Sequence, residues 1–246
     1  MKSNALAYAM KFMLVASLIV ICVLFIGFYF YKAIDKKDNS ASVSPTPSQG
    51  TVLVIDAGHG GEDAGAIAED STLEKDLNLK ISTLIKVLCD INGTKAIMTR
   101  EDDRLLYDHY GDLEDYTGHK KEYDLKNRVK IAKELDECVF LSIHMNKFSS
   151  SKYSGTQIYY SKNNPSSELL ARAIQNMTRA HLQPNNNRKI KPSGSSIYVL
   201  NSIDCPAVLV ECGFLSNEAE LERLKDDGYQ AKLALTIFAS VLPSLE

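Results

Sequence analysis

The chain has 246 residues, and its fractions of hydrophobic (45%) and charged (24%) residues are ordinary for a globular protein. The formal net charge of −3 argues against a general nucleic-acid-binding protein, because no excess of basic side chains is present to neutralise phosphates. The five cysteines show no C-x-x-C spacing, and each falls in or beside an apolar stretch, which predicts small buried thiols. Disulfides are an alternative outside the cytoplasm, although the sequence does not indicate which cysteines would pair.

The N-terminal part of the chain has the pattern of a membrane anchor. Residues 1–11 form a short tail, and residues 12–31 contain no charged or amide side chain. A helix of that length would span roughly 30 Å, the hydrocarbon thickness of a bilayer. Aromatic residues at positions 28–31 suit a membrane interface. We therefore predict a transmembrane signal-anchor, with a buried core helix as the alternative; lysines on both sides of the run leave its orientation open.

The rest of the chain divides into a linker and one domain. Residues 32–50 are polar, rich in Ser and Pro and without apolar periodicity, which predicts a linker. Residues 51–246 are then one domain, large enough to bury a good core. Strands are expected at residues 51–57, 95–100, 139–144, 156–160 and 207–211, and helices at 73–88, 125–135, 166–181 and, as a pair, at the C-terminus. This alternation predicts an α/β sheet covered by helices on both faces.

Four side chains that can carry chemistry fall at related places. His59 follows the first strand, His144 ends the third and Glu211 ends the last. Glu74 lies in the first turn of the helix after the first strand, so it faces the same edge of the sheet. Ligands of open α/β sheets bind outside the carboxyl ends of the strands. These four residues can therefore converge on one pocket.

Each of these residues also has a structural interpretation. His59 sits in a glycine turn that fits neither a dinucleotide fingerprint nor a P-loop, and could simply tolerate the turn. Residues 71–74 form a capping box in which Glu74 would bond the Ser71 amide, and this interpretation is favoured for Glu74 taken alone. His144 could be a satisfied polar residue at a strand end. Glu211 is harder to explain, because a carboxylate ending an apolar run is costly to bury without a cation, a partner or a bound proton.

Taken together, the four residues indicate a catalytic zinc site. Two imidazoles and one carboxylate are the usual protein ligands of such a site, with water in the fourth position. The water needs a nearby carboxylate to take its proton and pass it to the leaving group, and Glu211 offers one. Long spacing between ligands is a weak signal by itself, because no local HExxH motif is present.

Five motifs carry a resemblance to a known family. They are VIDAGHGG at residues 54–61, EKDLNL at 74–79, MTR at 98–100, SIHMN at 142–146 and PAVLVECGFLSN at 206–217. In this order, and over essentially all of residues 51–246, the chain resembles the zinc-dependent N-acetylmuramoyl-L-alanine amidases. The resemblance implies that His59, Glu74 and His144 bind Zn²⁺ and that Glu211 is catalytic. It also implies a three-layer α/β sandwich around a mixed, mostly parallel sheet.

The implied substrate is peptidoglycan, cut between N-acetylmuramic acid and its stem peptide. Such a substrate lies outside the cytoplasm, so we expect a membrane-anchored domain in the cell envelope. Asn146, Arg188 and Lys191 are candidate substrate-binding residues; a solvated loop is the alternative for the two basic ones. Arg100 and Arg128 are expected to be structural ion partners, and Asn217 is expected to cap a helix. The alternatives to an amidase are another zinc peptidase and a non-catalytic peptidoglycan-binding protein.

The segment between Arg100 and Arg128 is longer than in many amidases of this family. It ends in a pattern formed by Lys121, Asp124, Leu125 and Arg128, which resembles the spore-cortex amidases of endospore formers. That resemblance implies removal of stem peptides so that muramic δ-lactam can form, with the forespore intermembrane space as one location. Residues 102–121 are expected to shape the substrate groove or dock an activating protein partner; a tolerated surface insertion is the alternative.

Overall fold

The computed structural model describes residues 50–245. The anchor predicted at residues 12–31 and all but the last residue of the predicted linker lie outside the described residues. Among those described, no helix combines the length and apolarity needed to cross a membrane.

Residues 50–245 contain six strands and six helices, which mostly alternate. The strands are β1 (Val52–Ala57), β2 (Ala96–Met98), β3 (Cys138–Asn146), β4 (Gln157–Tyr160), β5 (Lys191–Pro192) and β6 (Ala207–Phe214). The helices are α1 (Glu74–Asn92), α2 (Lys120–Lys133), α3 (Ser166–His181), α4 (Tyr198–Ser202), α5 (Glu218–Lys225) and α6 (Asp227–Val241), followed by a 3-10 turn at Leu242–Ser244.

The strands form one sheet in the order β2-β1-β3-β6-β4-β5. Neighbouring strands run parallel except β4 and β6, which pair antiparallel. This confirms the mixed, mostly parallel sheet. The three central strands are β1, β3 and β6, and their carboxyl ends meet at one edge, as the position of the candidate residues requires. In the register of β3 and β6, His144 lies beside Glu211.

Two hydrophobic clusters cover the two faces of the sheet, which gives the expected three layers. On one face, alternate residues of β1, β3 and β6 pack against α1, α3, α5 and α6. On the other face, the intervening residues pack against α2 and α4. The alternation follows from the strand period of two: Leu53 and Ile55 belong to the first cluster, whereas Val54 belongs to the second. We call these the apolar face and the site face.

The predicted elements are present, and their bounds differ in places. The helix at 166–181 has the predicted ends, whereas α2 begins five residues before the predicted start and β6 continues three residues beyond Glu211. Two short elements were not predicted, β5 with two residues and α4 with five, because neither is long enough to show a period. Residues 102–119 contain turns and irregular backbone but no helix or strand, and Leu105 and Leu106 within this segment are buried.

Candidate active site

The site begins with a strained turn after β1. His59 has a φ of 61°, a left-handed conformation that side chains other than glycine rarely adopt. Two buried arginines hold the backbone there. Arg128 donates to the carbonyls of Ala57 and His59, each at 2.8 Å. Arg100 donates to the carbonyls of Ala57 at 2.9 Å and Gly58 at 3.0 Å. The carbonyls of three successive residues are thus hydrogen-bonded to arginines, which stabilises the turn that directs the His59 side chain into the site.

Arg128 is itself held by two buried carboxylates. It contacts Asp56 at 2.6 Å and Asp124 at 2.8 Å, and all three side chains are about 2–3% exposed. Burial alone would raise the pKa of Asp56, but the charge of Arg128 and a hydrogen bond from Ser142 outweigh it and lower that pKa. The ion pair therefore stays charged inside the protein. This arrangement agrees with the structural role expected for Arg100 and Arg128.

Glu74, the first residue of α1, points into the site and does not cap its own helix. The Ser71 amide donates to the carbonyl of Ala68, so the capping-box interpretation is wrong. The Glu74 carboxylate instead accepts from the amides of Ala66 at 2.7 Å and Met145 at 3.1 Å. Burial would raise the pKa of Glu74, but hydrogen bonds to His144 and His59 outweigh it and hold that pKa far below its usual range. The carboxylate is therefore ionised.

His59, Glu74 and His144 converge on one point. Glu74 Oε1 lies 3.2 Å from His59 Nε2 and 2.9 Å from His144 Nδ1, and the three candidate ligand atoms lie within 4.8 Å of one another. Two imidazole nitrogens and an ionised carboxylate oxygen are the donor set that zinc prefers. The backbone also leaves room for them, since a Cβ on Gly58 would lie 2.2 Å from His144 Nε2. These residues fit a zinc ion.

Asp63 supports the first of these ligands. Its Oδ2 atom lies 2.9 Å from His59 Nδ1, which suits the tautomer that carries a proton on Nδ1 and leaves Nε2 free to bind a metal. The same oxygen lies 3.1 Å from Lys121 Nζ, in the first turn of α2. The end of the long segment after β2 therefore reaches the site through Asp63.

Glu211 differs from Glu74 in its surroundings. Its side chain is on the site face beside His144, and among the described residues its Oε2 atom has no hydrogen-bond partner. Burial raises the pKa of Glu211 to about 7, and the nearby His144 opposes the shift only in part. Two carboxylates in one site thus have pKa values displaced in opposite directions, a pattern that separates a metal ligand from an acid–base group.

A cavity of about 230 Å³ opens beside these residues. Its floor is formed by the site face of the sheet, including Ser142, His144 and Glu211. Helices α2 and α4 form its walls, with Lys121, Leu125 and residues 196–200. Because α4 was not predicted, this wall could not be expected from the sequence.

The candidate substrate-binding residues lie outside the lining of that cavity. Arg188 donates to the carbonyl of Ser154 at 2.6 Å and to Gln157 Oε1 at 3.2 Å, and its guanidinium lies 4.3 Å from the centre of the Phe214 ring. Lys191 is exposed in β5. Asn146 is half-buried at the end of β3, where its carbonyl accepts from the Leu215 amide. The structure does not bring these three together with the candidate zinc ligands.

Sequence reasoning missed two residues that support the ligands. Asp63 follows His59 by four residues in the same glycine turn. Asn78 follows Glu74 by one helical turn, and its side-chain amide donates to the carbonyl of Gly58 at 3.1 Å and to Glu74 at 3.3 Å. Each of these residues follows a proposed zinc ligand by four positions, and that spacing was the available sequence signal.

The comparisons with known proteins agree with this geometry. The sequence profile described as N-acetylmuramoyl-L-alanine amidase (Amidase_3) matches residues 53–242. The germination-specific N-acetylmuramoyl-L-alanine amidase of Bacillus subtilis (strain 168) is 35% identical over 196 residues, which is 80% of this chain and 80% of that protein.

Similar solved structures include two amidases that match this chain over nearly their whole length. The CwlD amidase from Clostridioides difficile, solved in complex with the GerS lipoprotein, is 40% identical with a TM-score of 0.73, covering 79% of this chain and 98% of that one. The catalytic domain of CwlV, an N-acetylmuramoyl-L-alanine amidase from Bacillus (Paenibacillus) polymyxa var. colistinus, is 29% identical with a TM-score of 0.64, covering 80% and 99%. The profile match spans well over half of the sequence, and this chain therefore belongs to the N-acetylmuramoyl-L-alanine amidase family.

Proposed function

We propose that this chain is a zinc-dependent hydrolase of peptidoglycan that cleaves the amide bond between N-acetylmuramic acid and the L-alanine of the stem peptide. One observation carries the proposal. Three residues suited to binding zinc lie next to a separate buried carboxylate, that of Glu211. The Oε2 atom of Glu211 has no hydrogen-bond partner within the part of the chain that the structure describes. Family membership supplies the bond and the substrate class.

The mechanism follows from the division between the two carboxylates. Zn²⁺ held by His59, Glu74 and His144 would polarise the scissile carbonyl and lower the pKa of a water molecule. Glu211 takes a proton from the attacking water and delivers it to the leaving L-alanine nitrogen as the C–N bond breaks. A pKa of about 7 suits a group that must accept and then donate a proton near neutral pH. The products are a free lactyl carboxylate and a peptide that begins with free L-alanine.

The narrower role we propose is in the spore cortex. The Bacillus subtilis relative is named as germination-specific, and the pattern of Lys121, Asp124, Leu125 and Arg128 resembles the spore-cortex amidases. Removal of stem peptides by this chain would allow muramic δ-lactam to form. A deletion strain of a spore former is expected to lose δ-lactam from its cortex, and cortex of normal δ-lactam content in that strain would contradict this role.

The location we propose is outside the cytoplasm, because the substrate lies there, with residues 12–31 as the anchor, residues 32–50 as the linker and residues 51–246 as the catalytic domain. The forespore intermembrane space fits the cortex role. Protease added to intact spheroplasts is expected to digest the catalytic domain. Full protection of the domain would contradict both the topology and the substrate.

A protein partner is part of the proposal, because the Clostridioides difficile relative was solved with a lipoprotein. Residues 102–121 are the proposed docking or groove-forming segment. Their end is coupled to the site, since Lys121 contacts Asp63 and Asp63 contacts His59. Normal cortex in a strain that lacks only this segment would favour the alternative of a tolerated surface insertion.

Asn146, Arg188 and Lys191 are the residues we propose to contact the glycopeptide beyond the cavity. Arg188 is the best supported of the three, because three groups fix its guanidinium beside β4 and β6, and a fixed guanidinium suits a carboxylate. Arg188→Gln is expected to raise KM on muropeptides and to leave kcat within a few-fold. An unchanged KM would remove Arg188 from the substrate site.

The decisive experiment is product analysis on defined muropeptides with the full chain. We expect intact stem peptides with free N-terminal L-alanine, loss of activity with a chelator, and recovery when zinc is restored. His59→Ala, Glu74→Ala and His144→Ala are expected to lower the bound zinc, whereas Glu69→Ala, an exposed control, is not. Fragments cut within the stem peptide would indicate a zinc peptidase. Zinc binding without any product would indicate a non-catalytic peptidoglycan-binding protein.

A further inference from the structure

Two cysteines lie side by side at the end of the sheet opposite the active site. Cys138 begins β3, and Cys205 precedes β6 by two residues. Phe140 pairs with Ala207, so the same register places Cys138 beside Cys205. Adjacent strands are about 4.8 Å apart, which is within the Cα–Cα range of about 4.4–6.8 Å that a disulfide spans.

The side chains of Cys138 and Cys205 lie on the same face of the sheet. Cys138 belongs to the buried cluster on the site face, and Cys205 packs against that cluster. The two Sγ atoms are 2.7 Å apart, closer than two unbonded sulfur atoms normally pack and not far above the roughly 2.05 Å of a covalent bond. Cys89 and Cys212 belong instead to the cluster on the apolar face. Strand register and side-chain direction thus single out one pair among the four described cysteines.

The two thiols differ in access to solvent. Cys138 is 5% exposed, whereas Cys205, in the loop before Pro206, is only partly buried. An external oxidant can therefore reach Cys205 first, and Cys138 is in place to complete the bond.

We propose that Cys138 and Cys205 form an intramolecular disulfide that ties the start of β3 to the entry of β6 when the chain meets an oxidising disulfide. The step is thiol–disulfide exchange. The Cys205 thiolate attacks one sulfur of the external disulfide, breaks its S–S bond and releases one thiolate. The Cys138 thiolate then attacks the Cys205 sulfur of the mixed disulfide and releases the second thiolate. The protein dithiol is oxidised by two electrons, the external disulfide is reduced to two thiols, and the protons pass through solvent.

We expect the disulfide to change the stability of the fold and not the rate of hydrolysis, because it mainly restricts the unfolded chain. It joins residues 67 apart in sequence, so it removes much of the conformational freedom of the unfolded segment between them. His144 and Glu211 lie six residues further along the same two strands, which is roughly 20 Å away. We therefore expect the disulfide to raise the melting temperature and to leave the rate of hydrolysis unchanged.

Mass spectrometry tests the pairing. The full chain, in a Cys22→Ser background, is equilibrated with oxidised glutathione, denatured, alkylated and digested. The expected result is a cross-linked peptide pair that contains Cys138 and Cys205, with Cys89 and Cys212 alkylated. Alkylation of Cys138 and Cys205, or a linkage between other cysteines, would overturn the proposal.

Thermal unfolding tests the consequence. The melting temperature of the oxidised chain is expected to exceed that of the chain reduced with a phosphine by roughly 5–15 °C. The difference should vanish in Cys205→Ser, which alters the more exposed partner and so is less disruptive than Cys138→Ser. It should persist in Cys89→Ser, the matched control. A difference that survives in Cys205→Ser, or is absent from the parent chain, contradicts the proposal.

Discussion

The two faces of the sheet share the same three central strands but differ in chemistry. On the apolar face, residues such as Leu53, Ile55 and Ile143 pack against α1, α3 and α6 with no exposed surface. On the site face, the same strands carry Asp56, which is paired with Arg128, and Glu211 beside a cavity. The first face contributes stability through burial of apolar area. The second face contains charged groups that are costly to bury, and their contacts fix the orientation of the side chains of the active site.

The strand period of two makes this division possible. Successive residues point to opposite faces, so one strand can be apolar on one side and functional on the other. We expect substitutions on the site face to change activity, metal binding or the pH dependence of stability, and to destabilise the domain where they unpair a buried charge. Substitutions on the apolar face should change stability alone. Four predictions test this division, from the largest expected effect to the smallest.

Glu211→Gln should lower the rate of muropeptide hydrolysis by roughly 10²–10⁴-fold, because the glutamine cannot accept the proton of the attacking water. Bound zinc should stay at the parent level, since Glu211 is not among the three converging ligands. Rates on muropeptides and metal analysis measure the two effects. Glu168→Gln, on the exposed surface of α3, is the control and should change neither. Loss of zinc from Glu211→Gln would show that the division of roles is wrong.

Arg128→Met should destabilise the domain by roughly 3–5 kcal/mol, because Asp56 and Asp124 would stay buried without a counter-charge. Denaturant unfolding measures the change. The matched control is Arg172→Met, which removes an exposed pair with Glu168 and should cost less than about 1 kcal/mol. Equal costs for the two variants would contradict a structural role for the buried network.

Ile81→Ala, on the apolar face, should also destabilise the domain, by roughly 2–5 kcal/mol, because it leaves a cavity at a fully buried position. Its rate per folded molecule should equal that of the parent chain. Unfolding curves and rates at a temperature where both proteins are folded measure this. A tenfold change in rate would mean that the apolar face also positions the site.

The stability of the metal-free protein should fall as pH rises from about 4.5 to about 7, because the folded state binds the Glu211 proton more tightly than the unfolded state does. The raised pKa of Glu211 corresponds to roughly 3 kcal/mol of folding stability at low pH. This contribution is lost progressively as the pH rises through that range. In Glu211→Gln the part of the loss that is due to Glu211 should be absent, so the variant should exceed the parent in stability at pH 8 and match it near pH 4.5. Urea unfolding with a chelator, with Glu168→Gln as the control, measures the difference. The same pH dependence in both variants would contradict a protonated Glu211.

The fold class, most of the elements and the four residues at one edge of the sheet could be predicted from the amino-acid sequence. Apolar runs and helical spacing are local signals, so they were sufficient for β1, α1, β3, α3 and β6. The family motifs likewise lie in short segments. Strand ends in a parallel sheet meet at one edge, which is why His59, His144 and Glu211 could be expected near one another.

Which of the competing local interactions form could not be predicted from the sequence, because contacts between distant segments select among them. Glu74 had a strong local alternative in the capping box, and contacts from distant segments, with Ala66 and His144, displaced it. Folding also brings together the segments that form three other features. These are the cavity wall made by α4, the hydrogen bond between Asp63 and His59, and the contact between Cys138 and Cys205. The opposite pKa shifts of Glu74 and Glu211 depend on burial and neighbours in space. Glu211 ends an apolar run and Glu74 begins a helix, but neither position determines how deeply the carboxylate is buried or which charged groups lie near it.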